Sequence, residues 1–368
     1  MKQSAKHFIP KRIFIENDIA DTALSRHILE QFRNIPCKHI NDANALLAGT
    51  FITHHPHLWQ DSLLLARQRG PFMRLCPGTK KHICCLYHNL DTAAGCDLGC
   101  SYCFLQGYLD TPLITIYCNL DDMFTELEQK ISGNPQQFYR VGTGELSDSL
   151  TFDHFTGLSI DLVNWFSDKS NAIIELKSKN IFIDNLLKLE PKRRSVISWS
   201  MNSSAIAESE ECMAASLDER LHAAEQVQNA GYLIGFHFDP MIYHNDWESG
   251  YRETVDKIFK VIKPENIAWI SIGALRYPSA FDAVIRKNHP KSRIVLGELF
   301  PGIDQKLRYL KKIRIEMFKS LYSRIKSHSR DVFVYLCMER EEVWRRAFGW
   351  SPRNSAELKK LLDERVKH

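Results

Sequence analysis

The sequence lacks any apolar run approaching the ~18 residues of a membrane span, which excludes a helical membrane protein. Its opening residues, MKQSAKHFIPKRIFIEND, contain no apolar core of the signal-peptide kind. There is no low-complexity stretch and no strong imbalance of charge; a net +4 is too mild to point to a partner. What is present is ordinary for a globular chain: 368 residues, 44% hydrophobic and 25% charged. That length suits one large α/β domain with an appendage, or two modest domains. Ten cysteines without an export signal imply reduced thiols and a cytoplasmic location, with no membrane partner.

Three of those cysteines are the most informative residues. Cys96, Cys100 and Cys103 lie in GCDLGCSYCFLQGY, with three residues between the first pair and two between the second. Three close thiolates can hold three irons of a 4Fe–4S cluster and leave the fourth iron open to a small molecule. Ferredoxin clusters use four cysteines in other spacings. A structural zinc would require a fourth Cys or His nearby, and none follows at knuckle spacing. The spacing, with Tyr102 just before the last Cys, resembles the radical S-adenosylmethionine (radical SAM) superfamily. That resemblance implies a 4Fe–4S cluster and S-adenosyl-L-methionine (SAM) as cofactors. In such chemistry the cluster cleaves SAM to a 5′-deoxyadenosyl radical, and the protein supplies position and shielding.

From residue 91 the chain alternates strand and helix patterns. The expected strands are Asp91–Gly95, Phe138–Gly142, Ala172–Leu176, Val196–Ser200, Tyr232–His237 and Ala268–Gly273. Amphipathic segments lie between them: DDMFTELEQKI, FTGLSIDLVNWF, IFIDNLLKL, LDERLHAAEQVQNAG and SGYRETVDKIFKVI, with SAFDAVIRKNH after the last strand. Six βα units predict a partial (β/α)6 barrel of the TIM type, preferred over a doubly wound sheet because successive units curl. The divisions expected are a small N-terminal α/β unit with a Cys-rich connector over 1–90, the barrel over 91–290, and a basic C-terminal extension over 291–368. In the last, RIVLGELF reads as a strand or hairpin arm, DVFVYLCME as a strand and AELKKLLDERV as a helix.

Barrel chemistry sits at the C-terminal ends of strands, and the polar residues fall there. Gly144 and Glu145, in GTGELSDS, follow the second strand. Glycine lets backbone approach a ligand, and a carboxylate can accept from the SAM ammonium. Lys177 and Lys179 follow the third strand, Ser200 and Asn202 the fourth, His237 and Asp239 the fifth, and Arg276 the sixth. Lys179 could bind the SAM carboxylate, against the bland alternative of a lysine snorkelling to solvent. His237 and Asp239 share one strand face and could steer a proton, or form a satisfied core pair. Cys76, Cys84, Cys85 and Cys337 could make a second metal site, or serve as small buried residues.

FIPKRIFIE, CSYCFLQGYL, AGYLIGFHFDPMIYHNDWESGYRETVDKIF, the RYP at 276 and NHPKSRIVLGE together resemble the spore photoproduct lyase family, over most of the chain. The resemblance implies that Cys96, Cys100 and Cys103 bind the cluster. It places Tyr102, Ser147, Lys179 and Ser200 at SAM, and a basic hairpin on damaged DNA. Arg308, Tyr309, Lys311, Lys312 and Arg314 fall near those DNA contacts, within a stretch (305–330) holding nine Lys or Arg and one acid. Two departures stand out. Glu145 occupies the place of the family's hydrogen-donating Cys, and Phe104 that of a relay tyrosine. Cys118 and Cys85 are the substitute thiols.

The resulting expectation is a lyase-like radical SAM enzyme that abstracts hydrogen from a DNA or nucleotide substrate, with Tyr102, Glu145, His237 and Asp239 as catalytic candidates. A flavodoxin or ferredoxin would reduce it. The alternatives are a radical SAM enzyme acting on a small metabolite, and a non-enzymatic iron–sulfur sensor.

Overall fold

The βα rhythm produces an eight-stranded curled sheet in a computed structural model describing residues 7–48, 61–79, 81–109, 113–190 and 194–367. Residues 51–60 of the irregular connector lie outside this set. Six parallel strands run in chain order: β5 (His88–Leu90), β8 (Tyr139–Gly142), β9 (Ala172–Ser178), β10 (Ser195–Ser200), β11 (Leu233–Met241) and β12 (Ile267–Ala274). β16 (Val334–Leu336) adds a further parallel strand beside β12, and β4 (Met73–Leu75) pairs antiparallel at the opposite edge. β12 is buried at every residue, as a strand covered on both faces should be. The partial barrel is thus present, and the tail strand expected in DVFVYLCME is part of its sheet.

The outer helices follow their sequence signals. Leu217–Asn229 begins on a capping box, Ser216 with Glu219, and ends before Gly231, whose φ of +96° suits a helix stop. Two expectations fail. IFIDNLLKL forms only a 3-10 turn, Leu186–Lys188, whose Leu186 carbonyl accepts from the buried Tyr232 hydroxyl at 2.9 Å. RIVLGELF forms a 3-10 turn, Ile294–Leu296, before β14 (Phe300–Pro301), which joins β13 (Arg276–Pro278) and β15 (Lys306–Arg308) in a small sheet.

The first barrel strand also shifts. β5 ends at Leu90, and β6 (Ala93–Ala94) crosses into an N-terminal sheet ordered β2 (Cys37–Ile40), β1 (Arg12–Glu16), β3 (Ser62–Ala66), β7 (Ile114–Tyr117), β6. The crossing is pinned at Asp91, whose amide donates to the Phe72 carbonyl at 2.9 Å and whose carboxylate takes Arg74. Neither sheet respects a division at 90 or 290: β6 and β7 belong to the first unit and β16 to the barrel. Among the described residues, no helix is long and apolar enough to cross a membrane.

A partial barrel leaves a seam between its edge strands. Here residues 76–79 and 81–87 bridge it. Cys76 donates its amide to the Tyr87 carbonyl at 2.8 Å beside the β4–β5 edge. Ile83 forms an antiparallel bridge to Glu339, just past β16, with an N···O distance of 2.9 Å. Cys84 N–H donates to Ser355 Oγ at 2.9 Å, and Thr79 Oγ1 reaches Met338 Sδ at 3.3 Å. Behind the seam, buried Arg140 pairs with Asp363 at 2.9 Å and donates to the Cys85 carbonyl.

Candidate active site

The loop after β6 carries Cys96, Cys100 and Cys103 to the mouth of the barrel. Gly95, at φ +92°, makes the turn; a side chain there would begin 3.1 Å from the Leu113 carbonyl oxygen. The loop is tied down on both sides. Gly95 N–H donates to Leu146 O at 2.9 Å, Ser101 N–H to Glu210 O at 2.8 Å, and Met213 N–H to Leu98 O at 3.0 Å. Gln106 Nε2 donates to the Cys100 carbonyl at 2.9 Å, while its Oε1 meets Asn288 and His289.

All three thiols are unpaired. Backbone amides two residues on donate to two of the sulfurs, Leu98 to Cys96 and Leu105 to Cys103. Burial pushes all three thiols up, Cys100 to about 12, with Lys179 pulling Cys100 the other way. Among the described residues no three His, Cys, Asp or Glu side chains converge on a single-ion position. In a cubane cluster each thiolate takes its own iron, so three thiols carried on one loop suit three of its corners. These residues would hold such a cluster away from water, and with SAM it would supply a one-electron cleavage.

Beside the loop lies a buried charged group that the sequence reading missed. The Tyr102 hydroxyl donates to Glu211, which pairs with Arg220; both ionic side chains are 0% exposed. Burial alone would raise the Glu211 carboxyl, but Arg220, Lys179 and Tyr102 hold it down to about 2. Arg220 also donates to Ser200 O at 2.8 Å and Ala215 O at 3.0 Å, and Asn202 Nδ2 lies 3.3 Å from Glu211. The Lys179 ammonium stands 5.5 Å from the Tyr102 ring centroid. Tyr102 is therefore fixed by its neighbours. The available signal was Arg220, the charged residue on a helix face otherwise made of leucine, alanine, valine and one glutamine.

Asp148 organises the strand ends opposite. Its carboxylate accepts from Lys179 N at 2.7 Å, Ser178 Oγ at 2.7 Å, and Leu150 N and Thr151 N at 3.0 Å each. Ser147, in the same loop, is buried. The space a side chain would take at Gly144 belongs to Lys177, whose Cε would be 3.0 Å away. Glu145 accepts from Asn89 and sits near Asp91; burial and that carboxylate raise its proton affinity.

His237 and Asp239 do not pair with each other. His237 Nε2 meets Glu175 at 2.7 Å and its Nδ1 meets Ser271 at 2.8 Å. Glu175 also accepts from Ser198 and from Trp269 Nε1 at 3.0 Å. Burial would raise Glu175, but His237, Ser198 and Lys177 outweigh it and hold it down to about 2. This network fills the barrel floor. Its sequence signal was Glu175 in phase with Lys177 and Lys179. Asp239 instead meets Arg276 at 3.3 Å.

The basic extension is largely committed internally. Arg308 and Tyr309 are buried, with Arg308 on Asp304 and the Tyr309 hydroxyl accepting from Tyr243 N at 3.0 Å. Arg314 pairs with Glu339 at 2.8 Å, and Lys311 reaches Glu342 at 2.7 Å. Lys312 is exposed. Of the substitute thiols, Cys118 is buried in the N-terminal core, away from the mouth, while Cys85 lies at the seam.

The model of the spore photoproduct lyase family matches residues 82–330. The chain belongs to the spore photoproduct lyase family. Relatives from Geobacillus sp. (strain Y412MC61) and Bacillus subtilis (strain 168) are each 24% identical. The alignments cover 80% of this chain and 86% of the first relative, and 88% and 92% for the second. A spore photoproduct lyase structure complexed with dinucleoside spore photoproduct matches with a TM-score of 0.79 at 23% identity, covering 90% of this chain and all of that one. A variant with bound AdoMet and the same dinucleoside also scores 0.79 at 23% identity. These likenesses carry the fold, and family membership carries the chemistry. The protein is a lyase-like radical SAM enzyme whose cofactors are a 4Fe–4S cluster and SAM.

Proposed function

We propose that this enzyme abstracts hydrogen from a damaged or modified nucleic-acid substrate at the barrel mouth, with Cys96, Cys100 and Cys103 holding the cluster. The observation that carries the reading is the family match over the cluster loop and the six strands from β5 to β12, within residues 82–330. Tyr102, Ser147, Lys179 and Ser200 are assigned to SAM, with Lys179 the charged contact for its carboxylate. Nucleic-acid contact falls to side chains that remain exposed around the small sheet. Lys291, Arg293 and Lys312 would meet phosphates, and Phe300 and Ile303 would meet bases. Arg308, Tyr309 and Arg314 would shape that surface from beneath. A lesion in a duplex must leave the stack to reach such a mouth. A flavodoxin or ferredoxin in the cytoplasm would supply the electron.

A nucleoside or other small metabolite is the second reading, favoured by the internal pairing of Arg308, Lys311 and Arg314. An anaerobic assay for 5′-deoxyadenosine, with and without ultraviolet-irradiated DNA, separates them. The proposal expects stimulation by the DNA, binding that weakens with salt, and loss of product in Cys100→Ala. Product formation indifferent to DNA would sink the nucleic-acid reading.

A further inference from the structure

Lys177 is a cation at the barrel mouth to which no role has yet been given. It follows Glu175 by two residues on β9, so both side chains point to the same face. That face is the lumen, because Glu175 reaches His237 on β11 at 2.7 Å and Trp269 on β12 at 3.0 Å. Two residues of strand set Lys177 roughly 7 Å closer to the mouth than this floor network. It is also the one residue of β9 that is not buried. Its stem is well fixed. The Lys177 amide donates to Ser149 Oγ at 2.9 Å, and its carbonyl accepts from Ser149 N at 3.1 Å. The side chain crosses Gly144, where an added Cβ would stand 3.0 Å from Lys177 Cε and 3.1 Å from its Cβ.

The acids around Lys177 are engaged elsewhere. Glu145, next to Gly144, accepts from Asn89. Glu175 holds His237, Ser198 and Trp269. Asp239 meets Arg276 at 3.3 Å, and Asp148 takes its four donors from the strand ends. Among the described residues the Lys177 ammonium makes no hydrogen bond and no ion pair. Its charge still acts on Cys103, Glu145, Glu175 and Asp239, in keeping with a position inside the mouth. Lys179 is directed differently, with its ammonium 5.5 Å from the Tyr102 ring centroid, and is assigned to SAM. A partly desolvated cation on a fixed stem gains most from an anion that arrives with a ligand.

We propose that Lys177 binds a phosphate group of the substrate and directs that group toward β9. The inference rests on the reading of a nucleic-acid or nucleotide substrate at the mouth. A compact ammonium with three donors suits phosphate as a point charge. A phosphodiester in a strand and the phosphate of a free nucleotide present the same chemistry, and the test separates them.

The test is equilibrium binding to the anaerobically reconstituted enzyme with SAM present. One pair of probes is an ultraviolet-irradiated thymidine dinucleotide with its natural phosphodiester and the same dinucleotide with an uncharged methylphosphonate link. The second pair is thymidine 5′-phosphate and thymidine. One charge-assisted contact corresponds to about tenfold in affinity, so the native enzyme should prefer the phosphodiester by about that factor. Lys177→Met should abolish the preference and leave SAM affinity and iron content as in the native protein, and Lys177→Arg should keep most of it. A preference that survives in Lys177→Met, or a Lys177→Met protein that loses SAM affinity or iron, would overturn the proposal. If Lys177→Met fails to fold by circular dichroism, the native enzyme and Lys177→Arg decide the matter, and equal affinity of the native enzyme for charged and neutral probes overturns it. If neither dinucleotide binds, but thymidine 5′-phosphate is preferred to thymidine and the preference is lost in Lys177→Met, the nucleic-acid function fails and the phosphate subsite stands.

Discussion

Glu211→Gln tests whether the buried pair beside the cluster loop is truly ionic. Glu211 and Arg220 are both 0% exposed. A fall of the carboxyl from 4.5 to about 2 is worth roughly 3 kcal/mol of stability in the folded chain. Glutamine keeps the shape and removes the charge, leaving Arg220 buried without an anionic partner, bonded to neutral oxygens such as the Ser200 and Ala215 carbonyls. Breaking a buried pair costs about 3–5 kcal/mol, so both routes agree on about 3. At about 2.1 cal/mol/K of unfolding entropy per residue, a chain of this length loses roughly 4 °C in Tm. The measurement is thermal unfolding of the cluster-free protein by circular dichroism. The pH dependence has a definite sign. The carboxyl is depressed on folding, so its contribution is complete above about 4.5 and is lost as pH falls toward 2. Glu211→Gln should therefore narrow the gap to the native protein as acid is added. A Tm within about 1 °C of native at pH 7, or a gap that widens in acid, would refute the ionic pair.

Three further outcomes are expected. Gly142→Ala puts a methyl group 1.5 Å from the Tyr87 hydroxyl oxygen and 2.7 Å from the Glu175 carbonyl, so it should cost about 3 kcal/mol, read by denaturant unfolding. Asp148→Ala strips four hydrogen bonds from the SAM-side strand ends and should destabilise by about 3 kcal/mol while raising the SAM concentration needed for half-saturation, checked by equilibrium binding. Glu175→Leu leaves the His237, Ser198 and Trp269 groups unpaired and should cost more than Glu175→Gln, which can still bond two of them; equal losses would argue against the network.

The barrel was legible because its strands are apolar, regularly spaced and separated by amphipathic helices, and because Cys96, Cys100 and Cys103 lie within one loop. Features built by distant residues were not legible. Glu211 and Arg220 support Tyr102 from the fourth βα unit, and nothing local to CSYCF announces them. His237 and Asp239 each bond a residue on another strand: His237 reaches Ser271 on the adjacent β12 and Glu175 across β10 on β9, and Asp239 meets Arg276 on β13. IFIDNLLKL had helical spacing, but burial of Ile183 and Leu186 was satisfied by a loop. A basic run likewise conceals its partners: Asp304, Glu339 and Glu342 are scattered in sequence.

The bridged seam also sets a timetable. Cys84 and its partner Ser355 are 271 residues apart, and Arg140 and Asp363 are 223 apart. At translation rates of about 5–20 residues per second, roughly 15 to 50 seconds separate the synthesis of Cys84 from that of Ser355. The connector's thiols pass through that interval before their covering segment exists. For this chain, exposure to oxygen during synthesis is a hazard of timing that the finished structure no longer displays.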